Sequence, residues 1–129
     1  MRLLLDTSVL IDALRHHHRR RELLAELVQA GHTLATSALN VAEVYAGMRP
    51  DEAQRTETLL SVLECYELTG TSGRRAGALK QQWAKKGRTL ALADMIVAAI
   101  ALERGCTLMT DNRKDFPMEE LDKFNLPRG

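Results

Sequence analysis

Aromatic residues are scarce in this sequence and make up only 4% of its 129 positions. The core must therefore be aliphatic, built from Leu, Val, Ile, Ala and Met, which fits a hydrophobic content of 45%. So few rings also argue against a platform on which nucleic-acid bases stack. The length and the balanced composition predict a single globular domain over residues 1–129.

Cysteine and long apolar runs are also rare. Cys65 and Cys106 form no CxxC pair, which argues against a disulfide framework and a cysteine-based metal site. We expect both to be small core residues, and a reducing cytoplasm to be the location. The longest apolar run, residues 90–102, is shorter than the about 20 residues that a membrane-spanning helix needs, and it contains an aspartate. The apolar start before Asp6 is too short for a signal peptide, so we expect none.

Charge is nearly balanced, with a formal net value of +1, so only a local basic patch would indicate nucleic-acid binding. One such stretch is "RHHHRRRE", residues 15–22. We interpret it as a solvated connection between helices; contact of Arg19, Arg20 and Arg21 with RNA phosphates is the alternative. A second stretch leads towards Asp94, and it forms either a solvated helix face or a surface for the substrate backbone. Its members are Arg74, Arg75, Lys80, Lys85, Lys86 and Arg88.

Strand-like and helix-like segments alternate along the chain, which predicts an α/β fold with a parallel sheet. The apolar run Leu3 to Leu5 resembles a strand that is buried on both faces. The other predicted strands are "HTLAT", "CYEL" and "CTLMT", and "FNL" is a candidate edge strand. The predicted helices cover about residues 7–14, 19–30, 37–48, 51–64, 71–86 and 90–104.

Two aspartates follow predicted strands. Asp6 comes after the first strand and Asp111 after the last clear one, in "TLMTDNRKDF". Ligands of open α/β sheets bind beyond the carboxyl ends of the strands, so the two acids converge if these strands are neighbours. Each aspartate alone has an ordinary alternative, because aspartates often cap helices and begin turns.

Asp94 favours a site, because it is the only charged residue in "LALADMIVAAIAL". A helix that is apolar all round is buried, and a buried aspartate without a partner would tend to protonate. It therefore needs a cation, a hydrogen-bond network or backbone amides at the helix start. Glu43 is a fourth candidate on the helix of residues 37–48, although a helical glutamate alone is weak evidence.

Clustered carboxylates raise one another's pKa values and remain ionised at neutral pH only when they hold a cation. Oxygen ligands suit Mg²⁺ or Mn²⁺ rather than zinc, and no histidine falls near these positions. A carboxylate-bound ion with open water positions is the usual apparatus for hydrolysing phosphodiesters. The pattern therefore favours a metal-dependent nuclease.

Three blocks of the sequence, "LLLDTSVLID", "SALNVAEVYAG" and "LALADMIVAAIALERGCTLMTDNRKDF", resemble the successive blocks of PIN-domain ribonucleases, with closest likeness to VapC-type toxins. The resemblance implies a three-layer sandwich with a small parallel sheet of four to five strands flanked by helices. It also implies a Mg²⁺- or Mn²⁺-dependent endoribonuclease of a type II toxin–antitoxin system, which leaves a 3′-hydroxyl and a 5′-phosphate. The implied partners are RNA, a cognate antitoxin and a second copy of the chain.

By the same resemblance, Asp6, Glu43 and Asp94 match the first three acidic positions of the family. The fourth is open: Asp115 fits the motif, whereas Asp111 lies nearer to the strand end. We expect Asp6 and Asp94 to bind the metal directly, and Glu43 and the fourth acid to act through metal-bound water. Tyr45 is expected to pack in the interior.

Other functions remain as alternatives. One is a PIN-fold RNA-binding or RNA-processing protein outside a toxin–antitoxin pair, with or without catalytic activity. A phosphatase of the haloacid-dehalogenase type needs a second aspartate two positions after Asp6, where this chain has Ser8.

Overall fold

A parallel sheet of four strands forms the centre of the structure, a computed structural model that describes residues 1–127. The strands are β1 (Arg2–Leu5), β2 (Thr33–Ser37), β3 (Glu64–Tyr66) and β4 (Thr107–Met109), in the spatial order β3-β2-β1-β4. Leu4 in β1 pairs with Ala35 on one side and with Leu108 on the other. Parallel neighbours require crossover connections, and helices supply them.

Helices cover both faces of the sheet, which gives three layers. They are α1 (Thr7–Leu14), α2 (Arg20–Gln29), α3 (Ala38–Ala46), α4 (Ala53–Ser61), α5 (Gly70–Lys85) and α6 (Leu92–Glu103). One core contains Leu4 with α5 and α6, and the other contains Leu3 and Leu5 with α1 and α2. This alternation follows from the strand period of two, which points successive side chains to opposite faces. The predicted α/β sandwich is confirmed.

The central strand β1 and the last helix α6 are largely buried, and both consist mainly of apolar residues. Leu3, Leu4 and Leu5 are all fully buried, as expected for a parallel strand covered on both faces. In α6 the five residues from Val97 to Ala101 are buried. The small alanines of this helix let it lie close to α5. The order and type of these elements were correctly predicted from the apolar pattern.

Several local predictions were wrong. The helix predicted over residues 51–64 is shorter, because a 3₁₀ turn, Pro50–Glu52, precedes α4 and the helix ends at Ser61. Tyr45 is 39% exposed rather than packed inside, and Cys65 is exposed while Cys106 is buried. A single side chain of a helix can be assigned to the wrong face when its stripe of apolar residues is broad.

The segment "FNL" forms no strand. Instead the chain makes an isolated parallel bridge between Leu108 and Lys123, with the Phe124 amide donating to the Leu108 carbonyl at 2.8 Å. These bonds cover the open side of β4 without extending the sheet. Within residues 1–127 no helix has the length and apolar character to cross a membrane.

Candidate functional site

The carboxyl ends of β1 and β4 meet at one edge of the sheet, because these strands are neighbours. Asp6 is the first residue after β1, and its amide donates to the Met109 carbonyl of β4 at 2.9 Å. Asp6 occupies the N-cap position of α1, yet its carboxylate forms no capping hydrogen bond. The alternative in which Asp6 only caps a helix is therefore wrong.

Two buried side chains hold the Asp6 carboxylate in place. Asn40 Nδ2 donates to Oδ1 at 3.1 Å, and Thr110 Oγ1 donates to Oδ2 at 2.8 Å. Burial raises the pKa of Asp6, and these two hydrogen bonds oppose the rise because they stabilise the charged form. One oxygen is thus tied to α3 and the other to the end of β4.

Asn40 in turn joins Asp6 to Glu43. The Ser37 hydroxyl donates to Asn40 Oδ1 at 2.6 Å, which fixes the orientation of the amide. Asn40 Nδ2 also reaches Thr7 Oγ1 at 3.0 Å, and Thr7 Oγ1 donates to Glu43 Oε1 at 2.6 Å. Asn40 and Glu43 lie three positions apart on α3 and therefore share a face of the helix.

The Asp94 carboxylate lies in the first turn of α6 and faces the other acids. Its pKa is raised from 3.8 to about 6, first by burial and then by the negative charges of Asp6, Asp115 and Glu43. Within the described residues no group donates a hydrogen bond to this carboxylate. The alternative in which helix-start amides satisfy Asp94 is therefore wrong, and its charge is left to be balanced by something else.

The two acids of "TLMTDNRKDF" have different neighbours in the structure. Asp115 lies in a 3₁₀ turn, Arg113–Asp115, and its charge acts on Asp94. Asp111 instead forms an ion pair, with its Oδ1 at 2.9 Å from Nη2 of Arg20. Asp115 thus belongs to the group of four carboxylates, which we call the acidic cluster: Asp6, Glu43, Asp94 and Asp115.

The donor chemistry of the acidic cluster fits a hard divalent cation. All donors are oxygens, and the raised pKa of Asp94 records a repulsion that such a cation would relieve. Within residues 1–127, however, no three His, Cys, Asp or Glu side chains converge closely enough to ligate one ion as they stand. Because hydrogen bonds hold Asp6 and Glu43, closing around an ion would require the Asp94 or Asp115 side chain to move towards them.

Two residues of the second basic stretch, Lys80 and Arg88, hold backbone segments beside the acidic cluster. Lys80 Nζ donates to the Leu90 carbonyl at 2.6 Å, shortly before α6 begins. Arg88 Nη2 donates to the Lys114 carbonyl at 2.7 Å, next to Asp115. These two cations therefore position the backbone near the site.

The "RHHHRRRE" stretch contains the predicted connection between α1 and α2, but Arg20 is buried at 3% exposure, so for this residue both the solvated position and the contact with RNA phosphates were wrong. His17 and His18 lie beside Asp12, with His18 Nδ1 at 2.9 Å from its Oδ2. His16 and His18 have positive φ angles of 58° and 55°. The three histidines therefore form no common face.

Sequence reasoning missed two residues of this site, Asn40 and Thr110. Both are polar and almost fully buried, at 0% and 1% exposure, and both bond to Asp6. A buried polar residue next to a strand end is a useful signal, but burial at single positions is not readable from composition alone.

Comparison with known proteins agrees with the fold. The family model of the PIN domain matches residues 3–122. Ribonuclease VapC19 of Mycobacterium tuberculosis is 32% identical over 89% of this chain and 92% of its own length. Ribonuclease VapC10 of the same organism is also 32% identical, over 92% of this chain and 88% of its own.

Solved structures give the same result. VapBC2 from Rickettsia felis, crystallised with a DNA fragment from its promoter, has a TM-score of 0.83 at 25% identity over 97% of this chain and 98% of that one. A toxin–antitoxin complex from Klebsiella pneumoniae has a TM-score of 0.76 at 28% identity, over 92% and 94% of the two chains. With the acidic cluster at the edge of a parallel sheet, these matches show that the chain belongs to the PIN-domain family, among its VapC-type members.

Proposed function

We propose that this protein is the toxin of a type II toxin–antitoxin pair and cleaves RNA as a metal-dependent endoribonuclease. The observation that carries the proposal is the acidic cluster, in which burial and three neighbouring carboxylates raise the pKa of Asp94 to about 6. The relatives named as ribonucleases, which match about nine tenths of the chain, support the same activity. No observation favours a separate RNA-binding role without catalysis.

Mg²⁺ is the proposed ion, with Mn²⁺ able to replace it, because hard cations prefer oxygen ligands. Asp6 and Asp94 are the proposed direct ligands, and Glu43 and Asp115 would act through water. When bound, the ion activates water and neutralises charge on the phosphate in the transition state. Asn40 and Thr110 hold Asp6 at a fixed orientation, and Thr7 does the same for Glu43.

The test compares RNA cleavage by the purified protein with Mg²⁺ and with EDTA. We expect Asp94→Asn to abolish cleavage while the circular dichroism spectrum stays unchanged. The matched control is Asp122→Asn, since this exposed aspartate lies outside the acidic cluster and should leave cleavage intact. Products with 3′-hydroxyl and 5′-phosphate ends are expected. Full activity of Asp94→Asn, or of the wild type in EDTA, would refute the mechanism.

The partner would be an antitoxin, as in the toxin–antitoxin complex from Klebsiella pneumoniae. An apolar groove of about 740 Å³ lies between α1, α2 and α4 and shares no residue with the acidic cluster. Val28 and Val62 line it and are 51% and 66% exposed, and contiguous exposed apolar surface is typical of protein contact sites. We propose that an apolar segment of the antitoxin occupies this groove.

Homodimerisation and a cytoplasmic location complete the proposal. Light scattering of the purified chain without antitoxin would test the first, and a mass of one chain at micromolar concentration would contradict it. Fractionation of expressing cells would test the second.

A further inference from the structure

Arg20 is a buried cation that joins three separate parts of the chain. Its side chain is only 4% exposed, and its Nη2 contacts Asp111 Oδ1 at 2.9 Å. Nη1 donates to the Pro127 carbonyl at 2.8 Å and to the His18 carbonyl at 3.2 Å. The guanidinium therefore links the start of α2, the segment after β4 and the C-terminal tail.

The backbone before Arg20 shows that its position is imposed by these contacts. His18 and Arg19 both adopt positive φ angles, at 55° and 54°, and no side chain caps the start of α2. Non-glycine residues keep such angles only where surrounding contacts hold them. Arginine suits the position, because its planar fork donates several hydrogen bonds in fixed directions.

The segment that Arg20 holds leads directly to the acidic cluster. Thr110 bonds to Asp6, and its hydroxyl also accepts from the Asn112 amide at 3.0 Å. The Asp111 amide points to Ser8 Oγ at 3.5 Å, at the start of α1. The path from β4 to Asp115 thus passes through Asp111, whose side chain is anchored on Arg20.

We propose that Arg20 and Asp111 form a positioning pair for the nuclease site. The ion pair keeps the negative charge of Asp111 next to Arg20 and away from the acidic cluster. It also fixes the segment after β4, so that Asp115 faces Asp94. Asp111 is then a positioning residue and Asp115 the fourth site carboxylate. This inference rests on the proposed metal-dependent function, and it adds a role for a residue 91 positions away in the chain.

Binding of Mn²⁺ to the purified, folded chain separates the two roles of Asp111. The free ion is measured by electron paramagnetic resonance, and circular dichroism confirms folding at the same temperature. Asparagine keeps an oxygen that accepts from Arg20 but loses the charge, so Asp111→Asn should bind Mn²⁺ within about threefold of the wild type. Asp111→Ala removes the acceptor and should weaken binding about 10-fold, the usual loss when a supporting residue of a metal site is removed.

Arg20→Gln should weaken Mn²⁺ binding by a similar factor, about 10-fold. The double variant Arg20→Gln/Asp111→Ala should be no weaker than either single variant, because both act through one contact. Arg15→Gln is the matched control: it removes another arginine–carboxylate pair, with Glu52 at 3.1 Å, and should leave Mn²⁺ affinity unchanged.

Three results would overturn the inference. They are an Asp111→Asn variant as weak as Asp115→Asn, an Asp111→Ala variant with wild-type affinity, and equal losses in Arg15→Gln and Arg20→Gln. The first two use no Arg20 variant, so they decide the matter even if Arg20→Gln does not fold. If the wild type binds no Mn²⁺, or if Asp94→Asn binds it equally well, the proposed function itself fails.

Discussion

Replacing Asp94 by asparagine should stabilise the metal-free protein at neutral pH while abolishing its activity. Asparagine has nearly the same shape but carries no charge, so it removes both the cost of burying a carboxylate and the repulsion from Asp6, Asp115 and Glu43. A pKa that rises from 3.8 to about 6 corresponds to about 3 kcal/mol at 1.36 kcal/mol per unit. Since Asp94 is only half-buried, solvent screening reduces the expected gain to about 1 kcal/mol.

The gain should depend on pH in a defined direction. The pKa of Asp94 is higher in the folded than in the unfolded state, so ionisation destabilises the fold. The penalty is absent below about pH 3.8, grows as the pH rises towards 6 and is complete above that value. Asp94→Asn should therefore be about as stable as the wild type near pH 4 and more stable at pH 7.5.

Urea unfolding in EDTA at these two pH values is the assay, with Asp122→Asn as the control that should show no such difference. Mg²⁺ should then reverse the order, because only the wild type binds it. An ion at ten times its dissociation constant adds about 1.4 kcal/mol to the free energy of unfolding. If the stability of Asp94→Asn relative to the wild type does not increase between pH 4 and pH 7.5, the pKa of Asp94 is not raised by burial and neighbouring charge, and the reasoning is refuted.

Three further outcomes are expected. Asn40→Ala should reduce RNA cleavage about 10- to 100-fold with the fold retained, because it removes a supporting hydrogen bond to a proposed metal ligand; unchanged cleavage would contradict this role. Val28→Asp should prevent co-purification with the antitoxin and leave cleavage intact, whereas Leu68→Asp, at another exposed apolar position outside the groove, should affect neither. The hydrogen bond from Arg15 lowers the pKa of Glu52 from 4.5 to about 2. The Glu52 carboxylate therefore stabilises the fold above pH 4.5, and this stabilisation is lost as the pH falls to 2. The stability difference between Glu52→Gln and the wild type should accordingly shrink over that interval in acid titrations, and a constant difference would exclude the ion pair as its source.

The sequence was sufficient to predict the layers of the fold, because strand and helix periods are local properties of the chain. Leu3 to Leu5 had no polar alternation and form the buried central strand, and Asp94 interrupted an apolar helix and faces other acids. The composition of "FNL" allows an edge strand, but the structure has only a single bridge to Leu108 in this part of the chain.

The unpredicted parts depend on contacts between distant residues. Asn40 and Thr110 reach Asp6 from 34 and 104 positions away. Nothing local to Asp111 reveals that Arg20 pairs with it. The sequence offered one argument for each of Asp111 and Asp115, and the ion pair of Asp111 with Arg20 adds an argument for Asp115 that only the three-dimensional arrangement provides.

The position of β1 between β2 and β4 has a consequence for synthesis of the chain. Asp6 is synthesised 104 positions before Thr110, which orients it, and Asp115 follows later still. Domains begin to fold from the N-terminus during synthesis, but this site has to wait for β4 to pair with β1. A nascent chain in which β4 has not yet been made thus carries no assembled nuclease site, because Asp6 still lacks its partner Thr110.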